Sequence, residues 1–295
     1  MSVTASTETA ATPAVHAPDG SAGRSKRAAR GSVWSRNHRW IISILVGLIV
    51  LVFWQLIAVV FKLPTYILPT PVDAATSLWT NRVELWGATL VTTSEVLAGF
   101  AIAVMVSIPV AMLIVSFRWF ETIVYPFLVL LQTVPKIALA PLFVVWFGFG
   151  ILPKILVTFL ICFFPILLDT MTGLRSSNPD MASLVRSMGG GRWAIFSKVR
   201  FPAALPHVFA GVKVAITLAV VGAVVGEFVG ATQGLGYLLL RANANLDTPL
   251  LFAAIAILTV LGLVLYYGVS LVERLVIPWH VSQRAETAST TAPAV

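Results

Sequence analysis

Six predominantly apolar runs, at 40–61, 88–115, 123–149, 152–172, 208–231 and 250–272, dominate this chain. Each is long enough to cross the hydrocarbon core of a bilayer, which takes about 20 residues of helix. Inside hydrocarbon no water satisfies a backbone N–H or C=O, so such a run folds as a helix that pairs its own backbone. The runs therefore predict an all-α integral membrane protein with six spans. Only 11% of the residues are charged, against about 25% in a soluble domain, which excludes a soluble enzyme. The single cysteine, Cys162, lies inside the fourth run. No disulfide can form within this sequence, and Cys162 reads as a small buried hydrophobe. The four histidines are scattered and predict no metal site.

The formal net charge is +8. In a membrane chain this excess reports topology rather than nucleic-acid binding, because Lys and Arg stay on the cytoplasmic side of spans. With the N-terminus inside, the cytoplasmic segments hold fourteen: Arg24, Lys26, Arg27, Arg30, Arg36, Arg39, Arg118, Arg175, Arg186, Arg192, Lys198, Arg200, Arg274 and Arg284. The opposite side holds four, Lys62, Arg82, Lys154 and Arg241. Both termini are thus expected in the cytoplasm. Residues 1–36 form a basic tail poor in large apolar side chains and are expected to be disordered, as is the tail 276–295. Residues 37–87 hold the first span and an outer interfacial segment, and 88–275 the core. Thr70-Pro71 predicts a short helix in the outer interface. Gly148-Phe149-Gly150 and Gly234-Leu235-Gly236 read as turns, since neither continues as a nucleotide-binding G-x-G-x-x-G.

Between the fourth and fifth runs lies a polar island, 176–206, with Arg186, Arg192, Lys198 and Arg200 against one acid, Asp180. Asn178-Pro179-Asp180 is a helix start: a capping side chain, proline in the first turn and an acid at the positive dipole end. Leu184 and Met188 then share a face, with Met181 and Val185 nearby. Gly189-Gly190-Gly191 ends that helix. Arg192 begins a second helix, expected to stop at Phe201-Pro202. Two short helices at a bend, with an apolar knob and basic flanks, suit insertion into a groove on a partner.

Here the sequence resembles a known family, the membrane permease subunits of binding-protein-dependent ABC importers. The cytoplasmic signature of that family is E-A-A, three residues, G, nine residues, then I-x-L-P. Gly189 takes the glycine place and Val199-Arg200-Phe201-Pro202 the end of the pattern. The E-A-A places hold Ser183-Leu184-Val185 and depart from the pattern at all three positions. Leu68-Pro69-Thr70-Pro71, Gln132-Thr133-Val134-Pro135-Lys136, Trp146-Phe147-Gly148-Phe149-Gly150, Phe164-Pro165-Ile166 and Gly234-Leu235-Gly236-Tyr237 look like the nitrate/sulfonate/taurine branch, which also includes relatives for thiamine precursors.

The resemblance implies a type I importer permease fold in the bacterial inner membrane, with a coupling helix between spans four and five. ATPase contact would fall to Asp180, Ser183, Leu184, Val185, Met188, Gly189, Arg192 and Pro202. It also implies a second permease copy, two cytoplasmic ATPase subunits and an external solute-binding protein, periplasmic or lipid-anchored. The sequence has no G-x-x-x-x-G-K-[ST], so ATP and Mg belong to the partner, this chain binds no cofactor and it has no catalytic residue. Nucleic acid is not an expected partner.

Ionisable groups at membrane depth are functional candidates by default. Glu95, Gln132, Pro135, Lys136 and Glu227 are the candidates for a translocation path between two copies. Pro135 breaks its span and sets Lys136 beside the break, where it either offers a cation to an anionic solute or pairs with Glu95 or Glu227. Asp169 and Arg175 read as interfacial, and His207 as a cap opening the fifth span. The expected cargo is a small anion such as a sulfonate, taurine or nitrate. A thiamine precursor or other heterocycle is the alternative within the same class. A secondary transporter would need an inverted repeat, which is not evident, and the ionisable groups are too dispersed for a membrane-embedded enzyme.

Overall fold

The computed structural model describes residues 32–278; the tails at 1–31 and 279–295, with the disorder expected of them, lie outside the described residues. The chain divides after Ile44, and the second unit, Leu45–Val295, holds the features that follow. In chain order the helices are α1 (Ser32–Val60), α2 (Pro71–Thr80), α3 (Arg82–Ser116), α4 (Arg118–Thr133), α5 (Ala140–Phe147), α6 (Ile151–Arg175), α7 (Pro179–Ser187), α8 (Arg192–Ile195), α9 (Phe201–Gly230), α10 (Leu235–Ala244) and α11 (Thr248–Val276).

Each predicted run is helical within the described residues. Among the described residues four helices are long and apolar enough to cross a bilayer: α3, α6, the continuous helix Arg192–Gly230 and α11. The run 123–149 is not one straight helix. It is α4 followed by a 3-10 turn, Lys136–Leu139, and α5, bent by 80°, and it makes a fifth crossing if the pair is counted as one span. Pro135 explains the bend. Proline lacks an N–H and pushes the preceding residue out of helical geometry, and Val134 is extended at φ −62, ψ 128. In α1 the apolar part is the shorter helix Leu45–Val60.

The core sits where α9 lies against α6 and α3. Gly211, Ala215, Ala219, Gly222 and Gly226 recur at three- and four-residue spacing, so they form one buried stripe of small residues along α9. A Cβ on Gly222 would stand 2.8 Å from Thr158 Cα, and one on Gly226 the same distance from Lys154 Cα. Lipid tails are as apolar as leucine, so close packing of this kind is what holds helices together in a bilayer. Val96, Ala103, Ile166 and Ile216 fill in around the stripe. Cys162 is fully buried there, its Sγ donating to the Ala215 carbonyl at 3.2 Å.

Two expectations about the loops fail. The second loop helix does not stop at Phe201-Pro202 but runs on into α9, so His207 lies inside a helix and does not cap one. The turn 196–200 widens to a π-helix, and the Phe201 N–H reaches back five residues to the Phe196 carbonyl. A proline ring clashes with the carbonyl four residues before it, and a widened turn beside Pro202 accommodates it. The segment after Gly234 is no plain turn either: Leu235 to Ala244 is helix α10, with Leu235, Leu238 and Ala242 buried.

Gly222→Val is expected to lower the thermal midpoint of the detergent-purified protein, by an overpacking cost of about 1–3 kcal/mol. Gly262→Ala, where a Cβ would meet nothing within 4 Å, should leave it unchanged. Equal midpoints for the two variants would sink the close-packed seam.

Candidate functional site

The sequence-derived residues fall into three places. The first is the α7–α8 loop. Asn178 Oδ1 accepts the Asp180 N–H at 2.8 Å, so α7 starts where the capping residues predict. It ends in a Schellman turn: Gly189 stands at φ +82, its N–H bonds the Arg186 carbonyl, and the Gly190 N–H bonds the Val185 carbonyl at 2.9 Å. Asp180, Ser183, Leu184, Met188, Gly189 and Arg192 are exposed, Val185 and Pro202 half-buried. Met188 is 78% exposed, and so, at 77%, is Trp193, which stacks on Phe196 at 5.7 Å. The capping logic identifies α7 but misses Trp193, whose neighbours give no periodic signal. Met181, Leu184, Met188 and Trp193 are all exposed apolar side chains of this loop, which also carries the exposed Arg186 and Arg192.

The second place is the break. Gln132 and Pro135 are exposed and Lys136 is half-buried. Lys136 Nζ donates to the Gln132 carbonyl at 2.9 Å and stands 4.7 Å above the Phe164 ring. It pairs with neither Glu95 nor Glu227, which corrects the expected ion pair. The physical reason is the bend, whose capping bond holds the ammonium at the end of α4.

The third place is a buried polar node that gathers Glu95 and Glu227, each only 1% exposed. Glu95 Oε1 receives a hydrogen bond from Lys154 Nζ at 2.6 Å. Glu227 Oε1 accepts from Thr92 Oγ1 at 2.6 Å, and Oε2 from the N–H groups of Gly236 and Tyr237 at 2.5 and 3.3 Å. Thr92 Oγ1 in turn accepts the Leu235 N–H at 2.8 Å. A helix start leaves its first N–H groups without intrahelical partners. Gly234, at φ +116, has no side chain to cap α10, so Thr92 of α3 and Glu227 of α9 do it from outside. Glu95 Oε2 has no hydrogen-bond partner among the described residues and neighbours the Glu227 carboxylate. With all three groups ionised the node carries one negative charge in excess, and the positive end of α10 faces it.

Sequence reasoning missed Lys154 and Thr92. Lys154 counted only as an outer topology charge. The one available signal was register, since Thr92 and Glu95 share a face of α3 with Ala88, Val96 and Gly99. Other charges near the membrane are paired as well: Lys213 with Glu273, Arg175 with Glu121 at 2.5 Å, and Arg241 with Glu84 at 2.5 Å. Among the described residues no cluster of His, Cys, Asp and Glu is arranged to hold a metal ion.

Residues 103–278 match the protein family described as binding-protein-dependent transport system inner membrane component. The chain is 39% identical to the riboflavin transport system permease protein RibX of Chloroflexus aurantiacus, covering 80% of this chain and 88% of that protein. It is 35% identical to the formylaminopyrimidine transport permease protein ThiX of Halalkalibacterium halodurans, covering 84% and 99%. It is 30% identical to the putative aliphatic sulfonates transport permease protein SsuC of Bacillus subtilis, covering 83% and 90%. In fold it is similar to a chain of the MetNI methionine ABC transporter in an inward-facing conformation, with a TM-score of 0.55 and 20% identity over 68% of this chain and 97% of that one.

Removing one partner of a buried ion pair strands the other charge at a cost of about 3–5 kcal/mol, whereas replacing both is often neutral. Lys154→Met is therefore expected to unfold at a markedly lower temperature in detergent, and adding Glu95→Gln to recover most of the loss. A double variant no more stable than Lys154→Met would contradict the pairing.

Proposed function

The chain belongs to the family of binding-protein-dependent transport system inner membrane components, and we propose that two copies form the path of an ATP-driven importer for a small organic or inorganic anion. It is a permease of an ABC importer for small solutes, in the branch it shares with sulfonate permeases. In the proposed assembly an external binding protein delivers the solute, and two ATPase subunits dock in the cytoplasm on the α7–α8 loop. ATP and Mg are held by those subunits. The exposed Met181, Leu184, Met188 and Trp193 support the docking role. They are four exposed large apolar side chains in a loop that otherwise carries Arg186, Arg192, Lys198 and Arg200.

One observation carries the anion. Of the lysines at 136, 154 and 213, Lys154 and Lys213 each hold a carboxylate. Lys136 has no carboxylate partner among the described residues, and it sits beside a backbone break. A cation at membrane depth without a counter-charge is expensive unless a solute or water meets it. Glu95 and Glu227, by contrast, are occupied inside the subunit, which leaves Gln132, Pro135 and Lys136 as the favoured path residues.

A second reading has its own support. RibX and ThiX, by name transporters of riboflavin and formylaminopyrimidine, are more similar in sequence than the sulfonate permease. Phe143, Trp146 and Phe147 lie within 6.2–6.5 Å of one another along α5, just past the break. Stacking on those rings would suit a planar heterocycle.

Uptake by the reconstituted transporter separates the two. For an anion, Lys136→Met abolishes sulfonate or taurine uptake, Lys136→Arg retains part of it, and Trp146→Ala leaves it unchanged. Pyrimidine or flavin uptake that depends on Trp146 and ignores Lys136 would establish the second reading. For the docking role, Met188→Glu is expected to release the ATPase during co-purification while the permease itself still folds; full retention of the ATPase would refute it.

A further inference from the structure

We propose that Glu227 is a positioning residue that clamps α10 to α9, so that the two ends of the permease move as one body. The proposal rests on the importer reading. The continuous helix from Arg192 to Gly230 has 39 residues and so extends about 58 Å at 1.5 Å per residue. At one end it begins in the α7–α8 loop. At the other it carries Glu227, whose carboxylate takes the N–H groups of Gly236 and Tyr237, while Thr92 takes that of Leu235.

Three features make this a clamp rather than a passing contact. The joint is buried, so its charge-assisted hydrogen bonds are not diluted by water. The backbone is built around it, since a Cβ on Gly234 or Gly236 would collide with the Glu227 side chain. And a second polar tie of α10 among the described residues, Arg241 to Glu84, joins side chains 37% and 43% exposed, where an ion pair holds weakly. Leu235, Leu238 and Ala242 pack α10 against Leu85 and Leu250, and the buried joint is the polar tie that fixes its start to α9. A displacement imposed on α8 passes along α9 and arrives at α10 without a loop to absorb it. The connection 231–234, Ala-Thr-Gln-Gly, would otherwise be that loop.

The test uses the complete transporter with its ATPase and binding protein. Two variants loosen the joint differently: Glu227→Gln weakens the acceptor, and Gly236→Ala adds a Cβ 2.8 Å from Glu227 Oε2. Both should speed amide hydrogen exchange at Leu235, Gly236 and Tyr237 while the amides of α3 and α6 stay protected. Both should leave basal ATP hydrolysis unchanged and cut its stimulation by solute-loaded binding protein by at least about fivefold, the low end of measured coupling between sites. Unchanged exchange at those three amides overturns the clamp. Basal and stimulated rates falling by the same factor would mean a structural cap only, and faster exchange with intact stimulation a joint that transmits nothing; either overturns the proposal. A wild-type complex that the binding protein fails to stimulate fails the importer reading instead, and the exchange arm still judges the clamp.

Discussion

Everything in this permease depends on how closely α9 approaches α6. The stripe from Gly211 to Gly226 lets the two backbones meet with almost no side chain between them. In water such a seam would be a poor use of surface, because it buries few carbon atoms. In lipid the comparison changes: leaving lipid for protein gains little hydrophobic energy, and dense packing decides. The seam also brings α3 in, since Gly99 abuts Thr158 on the same side. The polar node is a consequence. Lys154 lies under Gly226, and one residue on, Glu227 turns toward Thr92 and the start of α10.

How much of this was legible in the sequence follows from the range of the forces involved. Helix α7 was readable because its determinants are local: Asn178, Pro179 and Asp180 at one end, Gly189 and Gly190 at the other. The break at Pro135 was readable for the same reason, although its 80° bend was not. The partner of Glu95 was not readable, because Lys154 is 59 residues away and the hydropathy of both helices is the same with or without the pair. Helix α10 was hidden too. Its start looks like a glycine turn until Glu227 and Thr92 supply the missing caps. The continuation through Pro202 was misread because proline usually marks a boundary, and a widened turn removes that meaning.

The charges sort by height along the bundle. Arg175, next to the α7–α8 loop, holds Glu121, and Lys213, midway along the Arg192–Gly230 helix, holds Glu273; at the far end, Arg241 holds Glu84. Between them lies the buried node, and Lys136, half-buried, lies at the bend. Within one subunit the node satisfies every carboxylate oxygen except Glu95 Oε2, and Lys136 bonds neither of its carboxylates.

The π-turn at 196–200 has a consequence for how the loop is aimed. An α-helix advances about 100° per residue, so one extra residue in a turn resets the angular phase of everything before it relative to everything after. Ile195 packs inward while Trp193 faces outward, and the small-residue stripe of α9 keeps its own azimuth beyond the widened turn. The bearing of the loop and the bearing of the membrane core are thus set independently. Lineages that gain or lose a single residue between 196 and 200 would re-index the loop against its partner without disturbing one contact in the seam.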